Sequence, residues 1–135
     1  MIRVFSIDVN TQKRVELVNI TRRINEKISE ARVRDGVVVV FTRHTTSALI
    51  INEDEERLKR DILVLMDRLV PTGAGYRHDE IDNNADAHLR QNLMQPSLTV
   101  PIVNGRMALG TWQNVFLFEL DGPRTREVTV VLIGE

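Results

Sequence analysis

The sequence contains no cysteine, few aromatic residues and no excess of charge of either sign. Without cysteine the chain forms no disulfide and offers no thiolate to a metal or a substrate. The formal net charge of −1 gives no overall field that attracts nucleic acid or anionic lipid. Aromatic residues make up 4% of the chain and are not interleaved with a basic patch. We therefore expect no nucleic-acid partner and no membrane partner.

Long apolar runs are also absent, and so are several catalytic motifs. No run approaches the roughly 20 residues of a membrane span, and Asp8 interrupts the apolar start too early for a signal peptide. A cytoplasmic location is the default expectation. There is no phosphate-cradling glycine loop and no Ser-His-Asp order typical of a catalytic triad. With 135 residues, the chain is predicted to form one domain, residues 1–135, with a core of its own.

Apolar periodicity predicts an α+β fold with a largely antiparallel sheet or sandwich and two to three helices. Residues 2–9 and 15–20 alternate in polarity and predict an opening β-hairpin. Apolar residues from Ile20 to Ala31 recur at helical spacing, and Gly36 is a candidate stop signal. The continuous β-branched run Val37–Phe41 is typical of a strand covered on both faces.

The rest of the chain adds a second helix, an irregular segment and further strands. Asn52 is predicted to cap the second helix, and its buried stripe is predicted at Leu58, Ile62, Leu65 and Leu69. Residues 70–82 have no periodicity, and a loop of that length is a functional candidate. A short helix is predicted near residues 83–93. Four strand-like segments follow, with a hairpin signal at Asn104-Gly105.

The three histidines are the first candidate site residues. His44 follows the buried strand, His78 lies in the irregular segment, and His88 lies on the apolar side of the short helix. Three imidazoles can form a catalytic zinc site whose fourth position is open to water. Their spacing matches no known metal motif, and a single histidine is more often a hydrogen-bonded core or surface residue.

Charged and aromatic candidates lie around two other segments. Arg124 and Arg126 share one face if their segment is extended, and two guanidinium groups can hold a phosphate. The competing interpretation pairs them with Glu119 or Asp121 across the Gly122-Pro123 corner. Glu53 is either a general base or a charge that complements the positive end of a helix.

The remaining candidates have a structural alternative of their own. Asn52 serves equally well as a helix cap. Trp112 and Gln113 are either the wall of a pocket or, for the tryptophan, simply part of the core.

Six short blocks, taken together, resemble the YjbQ-like family of small single-domain proteins described as secondary thiamine-phosphate synthases. The resemblance covers residues 3 to 133, and every block stands in family order. The blocks are His44-Thr45-Thr46, Asn52-Glu53, Tyr76 with His78, Asn84-Ala85 with His88-Leu89, Gly110-Thr111-Trp112-Gln113, and Glu119 to Arg126. The resemblance implies an antiparallel, β-rich α+β fold and a homotrimer.

The resemblance also implies a reaction and a set of roles. Hydroxymethylpyrimidine diphosphate and a thiazole phosphate would give thiamine phosphate and pyrophosphate. The implied catalytic residues are Glu53, His44 and Arg124. The implied metal ligands, for a divalent ion such as zinc, are His44, His78 and His88. The implied contacts to the phosphorylated substrate are Thr45, Thr46, Asn52, Asn84, Trp112, Gln113, Arg124 and Arg126.

Two alternatives stay open beside the synthase. Three imidazoles favour zinc, whereas diphosphate chemistry usually recruits magnesium through oxygen ligands. The same residues would therefore also suit a metal-dependent hydrolase, with metal-bound water as nucleophile and Glu53 as base. A trimeric protein that binds a metal or a ligand without catalysis is the other alternative.

Overall fold

Eight strands and three α-helices make up the protein, whose computed structural model describes all residues from 1 to 135. The strands are β1 (Ile2–Asn10), β2 (Glu16–Asn19), β3 (Gly36–Thr42), β4 (Ser47–Asn52), β5 (Ser97–Val103), β6 (Arg106–Met107), β7 (Asn114–Glu119) and β8 (Thr125–Gly134). The α-helices are α1 (Thr21–Ala31), α2 (Glu56–Leu69) and α3 (Ala85–Leu93), and a single 3-10 turn covers Arg77–Glu80. None of the helices combines the length and the apolar character needed to cross a bilayer.

The strands form two antiparallel sheets. The larger sheet has the order β1-β8-β3-β5-β6, and the smaller has the order β2-β7-β4. Every residue of β7 from Val115 to Glu119 is buried, because β7 is the central strand of the smaller sheet and both its faces are covered. The predicted α+β fold with antiparallel sheets and two to three helices is confirmed.

Two apolar clusters lie on opposite faces of the smaller sheet. The main cluster joins α1 and the inner face of the larger sheet to one face of the smaller sheet, and it includes Ile24, Val130 and Leu117. The second cluster joins the other face of the smaller sheet to α2 and α3 through Ala48, Met66, Ala87, Phe118 and Leu120. The smaller sheet is thus the middle layer, and its strand ends reach the surface between the other elements.

The helix predicted from residue 20 to residue 31 is confirmed as α1, but Gly36 does not end it. The helix ends at Ala31, and Arg32 follows in the left-handed conformation with φ 59°. Gly36 instead begins β3, where a Cβ atom would lie 2.0 Å from the carbonyl oxygen of Ile133. The glycine therefore serves the close approach of β3 to β8.

The predicted opening hairpin is wrong. β1 pairs with β8 in the larger sheet, and β2 pairs with β7 in the smaller sheet. Alternating polarity specifies that a segment is a strand with one buried face, but it does not specify the partner. Residues 11–15 carry the chain between the sheets. The Gly122-Pro123 corner does the same from β7 to β8.

The outer face of the larger sheet is apolar and open to solvent. Val38 and Val40 of β3 are buried, but Phe41 is 40% exposed. The prediction that this strand is covered on both faces is therefore wrong for the single chain. Ile2 and Val4 extend the open face across β1, with exposed fractions of 68% and 64%.

The second helix begins later and packs more loosely than predicted. Glu55, not Asn52, is its N-cap and accepts a hydrogen bond from the Arg57 N–H. Only Met66 of α2 is buried, whereas Leu65 and Leu69 of the predicted stripe are 50% and 58% exposed. Asn52 ends β4 instead.

Candidate functional site

The polar corner between β7 and β8 is the candidate site. It lies where β4 begins and where α3 and the 3-10 turn meet the end of the smaller sheet. A buried layer of paired charges supports an outer layer of partly exposed side chains. The buried layer fixes the backbone on which the outer residues stand.

Arg126 and Glu119 form a buried ion pair at the base of the corner. Their side chains are 1% and 0% exposed, and Arg126 Nε donates to Glu119 Oε1 at 2.9 Å. Arg126 also donates to the Thr46 carbonyl and hydroxyl oxygens at 3.0 and 2.8 Å. Glu119 accepts a further hydrogen bond from the Thr11 hydroxyl at 2.7 Å. The pair ties β4, β7 and β8 to the turn after β1.

The carboxylate of Glu119 stays ionised despite its burial. Burial pushes its pKa upward, but hydrogen bonds from Arg126, from the Asp121 N–H and from Thr11 outweigh burial, so the net pKa is lowered. Of the two interpretations of Arg126, the structural pairing is therefore the one present. Thr46 and Arg126 brace the corner and do not face a solvent-filled site.

Arg124 differs from Arg126 because half of its side chain is exposed. Its Nε donates to the Asp121 carbonyl at 2.9 Å, and its Nη2 donates to Asp121 Oδ2 at 3.2 Å. These two bonds hold the guanidinium group at the mouth of the corner and leave Nη1 without a partner in the chain. A held, half-exposed guanidinium is suited to bind an oxyanion.

A hydrogen-bonded chain joins Arg124 to an imidazole. Asn84 Nδ2 donates to Asp121 Oδ2 at 3.0 Å, and His78 Nε2 lies 3.0 Å from Asn84 Oδ1. A carboxylate only accepts, so Asn84 must turn its NH2 group to Asp121 and its oxygen to His78. His78 therefore carries a proton on Nε2. The lone pair of the neutral ring is then on Nδ1.

Helix α3 begins in a way that leaves Asn84 free for this role. Asn84 stands directly before the helix but makes no side-chain cap. Asp79 Oδ1 instead accepts the Ala85 N–H at 3.0 Å. The irregular segment of residues 70–82 thus supplies the cap through its 3-10 turn, and the amide of Asn84 can link His78 to Asp121.

His78 and His88 meet in a largely apolar cavity of about 470 Å³. Their ring centroids are 4.7 Å apart and the ring planes make an angle of 75°. Tyr76, Ala85 and Leu89 contribute to the walls. Apolar walls with two imidazole rings suit a flat heteroaromatic group. The cavity and Arg124 are connected through Asn84 and Asp121.

His44 stands apart from that pair and offers no free lone pair. Its Nε2 accepts the Glu127 N–H at 3.0 Å, so the neutral ring carries its proton on Nδ1. Burial, and after it the positive charge of Arg126, lowers the pKa of His44. His44 is thus a neutral hydrogen-bond donor at its Nδ1. Thr45 beside it is exposed, with no side-chain hydrogen bond in the structure.

The predicted three-histidine metal site does not fit this arrangement. His78 and His88 are in contact, but no group of three or more His, Asp or Glu side chains in the chain is placed to hold a metal ion. His44 has its one lone pair engaged by a backbone N–H, and a metal ligand needs that pair free. Within one chain, the tautomer of His44 and the lack of a third ligand therefore leave the predicted site incomplete.

Four other predicted site residues lie at the opposite end of the smaller sheet: Asn52, Glu53, Trp112 and Gln113. Asn52 pairs in register with Asn114, whereas Ser47 pairs with Glu119. Five residue steps along a strand span about 17 Å. Glu53 and Asn52 therefore lie that far from the corner, as do Gln113 and Trp112, which come just before β7. One chain does not bring Glu53 to His44, and Trp112 is 70% exposed instead of part of the core.

Sequence reasoning named Glu119 and Asp121 but missed a third carboxylate beside the corner, Asp86. Asp86 is 1% exposed and binds Arg14 through both oxygens at 2.9 and 3.0 Å, with Thr72 at 3.0 Å. Burial raises the pKa of Asp86, and the hydrogen bonds from Arg14 and Thr72 more than offset it. Arg90, one helical turn after Asp86, was the available signal, because a buried carboxylate needs a cation nearby.

Nearly the whole chain matches one protein family. The match to the family described as "UPF0047 protein YjbQ-like" covers residues 5–135. The chain belongs to this family. A UPF0047 protein from Archaeoglobus fulgidus is 50% identical over 92% of this chain and 96% of its own length. The UPF0047 protein YugU from Bacillus subtilis is 32% identical, covering 96% and 98% of the two chains.

Solved structures of UPF0047 relatives have the same fold. A YbjQ-like protein of unknown function from Sulfolobus solfataricus superposes with a TM-score of 0.97 at 35% identity, covering 100% of this chain and 99% of the other. An uncharacterised YjbQ/UPF0047 protein from Clostridium acetobutylicum gives a TM-score of 0.91 at 38% identity over 96% and 99%. The predicted family is confirmed, and the two solved relatives are described as of unknown function and as uncharacterised.

Proposed function

We propose that this UPF0047 protein is a small enzyme that acts on a phosphorylated heteroaromatic substrate at the β7–β8 corner. The observation that carries the proposal is the hydrogen-bonded chain from Arg124 through Asp121 and Asn84 to His78. It joins a half-exposed guanidinium, suited to phosphate, to an imidazole pair in a cavity suited to a flat ring.

The reaction that the family resemblance suggests is the transferase step of thiamine-phosphate synthesis. The C–O bond to the diphosphate would break, and its electron pair would leave with pyrophosphate. The thiazole nitrogen would use its lone pair to form the new C–N bond. Arg124 would neutralise the leaving diphosphate, which is where preorganised positive charge lowers the barrier. His78 and His88 would pack against one ring of the substrate.

A resident zinc ion has no step in this proposal. The donor set brought together by one chain is His78 and His88 only, and His44 Nδ1 carries a proton. The metal-dependent hydrolase with Glu53 as base loses support for the same reason, because Glu53 lies at the far end of β4. Glu53 is left without a catalytic role here. The cytoplasm remains the predicted compartment.

The homotrimer implied by the resemblance also stays part of the proposal. The outer face of the larger sheet supports an association, because it exposes Ile2, Val4, Phe41 and Ile133 side by side. Apolar faces of this kind usually become contacts between subunits.

The proposed activity is tested by parallel assays on the purified protein, each with and without a chelator. One assay follows pyrophosphate release from hydroxymethylpyrimidine diphosphate in the presence of thiazole phosphate. The other follows phosphate release from a simple phosphoester. We expect synthase activity that survives the chelator and falls in Arg124→Gln. Hydrolysis that the chelator abolishes would instead support the metal-dependent hydrolase. The absence of both activities would favour a binding protein without catalysis.

A further inference from the structure

A second polar depression lies at the opposite end of the smaller sheet from the corner. Two adjoining hollows of about 530 and 550 Å³ share four wall residues, Thr21, Asn25, Arg106 and Asn114. Gln113 lines the second hollow. We call the surface formed by Asn25, Arg106, Gln113 and Asn114 the amide groove. Strand β7 separates it from the corner by about 17 Å.

The orientation of each amide in the groove is fixed by a partner that can only donate. Asn25 Oδ1 accepts the Met107 N–H at 2.9 Å, and Gln113 Oε1 accepts the Gly110 N–H at 2.8 Å. A backbone N–H never accepts, so the amide oxygens must face the backbone. The NH2 groups of Asn25 and Gln113 are left without partners in the chain.

The amide of Asn114 is also oriented with its oxygen occupied, in this case through Asn19, which is itself fixed by a backbone N–H. Asn19 Oδ1 accepts the Thr21 N–H at 3.1 Å, so the NH2 group of Asn19 points away from that bond. Asn19 Nδ2 then donates to Asn114 Oδ1 at 3.1 Å. The oxygen of Asn114 is occupied, and its NH2 group is free like those of Asn25 and Gln113.

The remaining charges favour an anion in the groove. Arg106 is exposed and forms no salt bridge and no side-chain hydrogen bond. The one carboxylate in the walls, Glu26, is paired with Arg22 at 3.1 Å. Asp54, which also contacts Asn19, is held by Lys59 at 2.6 Å. The three amides of the groove thus have occupied oxygens and free NH2 groups, and the guanidinium of Arg106 beside them is unpaired.

We infer that the amide groove is a binding site for an oxyanion group, such as a phosphate ester or a carboxylate of a small molecule. An oxyanion only accepts hydrogen bonds and matches the four side chains of the amide groove, whose unpaired polar groups are all donors. This site is separate from the corner and does not depend on the proposed activity.

The test uses the three side-chain amides and the single tryptophan as reporters. Inorganic phosphate is titrated into the ¹⁵N-labelled protein at constant ionic strength, and sodium acetate is titrated in a second arm. We expect saturable shifts of the Asn25, Gln113 and Asn114 NH2 resonances, and a matching change in Trp112 fluorescence, since Trp112 adjoins Gln113 and is the only tryptophan. The tighter of the two ions identifies the class of oxyanion.

Two substitutions locate the binding. Arg106→Gln should weaken phosphate binding at the groove about tenfold, the usual cost of one lost charge-assisted bond. Asn25→Asp keeps the oxygen for Met107 but replaces the free NH2 group by an anionic oxygen, and it should abolish binding. Arg57→Gln is the control. It removes an arginine on α2 whose side chain is 91% exposed, and it should leave phosphate binding unchanged.

The outcome is decisive in either direction. Arg124→Ala should leave phosphate binding at the groove intact, so a failure at the corner and a failure at the groove can be told apart. Shifts that grow linearly with phosphate would overturn the inference. Equal weakening in Arg106→Gln and Arg57→Gln would overturn it as well, because it would show only nonspecific attraction. Arg106 is exposed, so its variant stays informative even if Asn25→Asp does not fold.

Discussion

Arg124 and Arg126, which the sequence presents as a pair, have opposite environments in the structure. Replacing each of them should therefore have a different effect. Arg124 is half exposed and holds only Asp121, so Arg124→Ala should leave folding nearly intact. It should weaken phosphate binding at the corner by roughly 1.5–3 kcal/mol, the range for a hydrogen bond to a charged group. Isothermal titration with phosphate measures the loss. Parent-like binding together with a lowered melting temperature would show that Arg124 only braces the corner.

Arg126→Ala is the matched contrast. It leaves the buried carboxylate of Glu119 without its cation, since both side chains are almost completely inaccessible. Removing one partner of a buried pair usually costs about 3–5 kcal/mol. We expect a loss of this order in the free energy of unfolding, measured in urea. A variant as stable as the parent would mean that Arg126 is not the structural brace described above.

His44 offers a prediction that separates it from an ordinary surface histidine. Burial and the charge of Arg126 lower its pKa, and its Nε2 already accepts the Glu127 N–H. Titration followed by NMR should therefore place the midpoint of His44 below the usual 6.5. Long-range ¹⁵N spectra should show the proton on Nδ1 at neutral pH. A midpoint at or above the usual value, or a proton on Nε2, would contradict this assignment and reopen His44 as a metal ligand.

At the scale of elements, the corner joins β4, β7 and β8 through carboxylates that must stay ionised. The folded protein lowers the pKa of Glu119 below its ordinary 4.5. A lowered pKa contributes stability above the unfolded value, and that contribution is lost as the pH falls through the folded value. The free energy of unfolding should therefore fall on acidification below about pH 4.5. Asp86 has the same sign of shift and should add to the slope.

Glu119→Gln isolates the contribution of that residue. The variant is expected to be less stable at neutral pH, because Arg126 loses its counter-charge. Its stability should also depend less on pH between 5 and 3 than that of the parent, as urea unfolding at several pH values would show. Asp61→Asn on α2 serves as the control, since Asp61 is exposed and its carboxyl group forms no salt bridge and no hydrogen bond. An unchanged slope in Glu119→Gln would rule out Glu119 as a source of the acid sensitivity.

Helices and tight hairpins were predictable because their sequence patterns are local. The helical spacing of Ile24 and Ile28 reports the buried face of α1, and Asn104-Gly105 reports the β5–β6 hairpin. Strand partners were not predictable, because alternation in β1 and β2 is equally compatible with a hairpin and with pairing to distant strands. Family blocks named candidate residues but not their grouping. The register of β7 with β4 shows that Asn52 and Asn114 lie at one end of the smaller sheet, and that Ser47 and Glu119 lie at the other.

One apolar face of the protein is not covered by any part of the single chain. The outer side of the larger sheet places Ile2, Val4, Ile133 and Phe41 in solvent, across β1, β8 and β3. Burying an apolar side chain of this size contributes roughly 1.5–3 kcal/mol. Several such residues on one flat face are enough to favour association, which is the physical support for the trimer that the family resemblance implies.

Light scattering should therefore give about three times the chain mass of 15.5 kDa at micromolar concentration. Val4→Lys places a charge on this face, in the edge strand β1, at a position already 64% exposed, so the chain should fold but lose the higher mass. Val64→Lys, on α2 at 43% exposure, is the matched control and should keep it. A monomer mass for the parent would contradict the trimer. A trimer that survives Val4→Lys but not Val64→Lys would move the subunit contact from the sheet to α2.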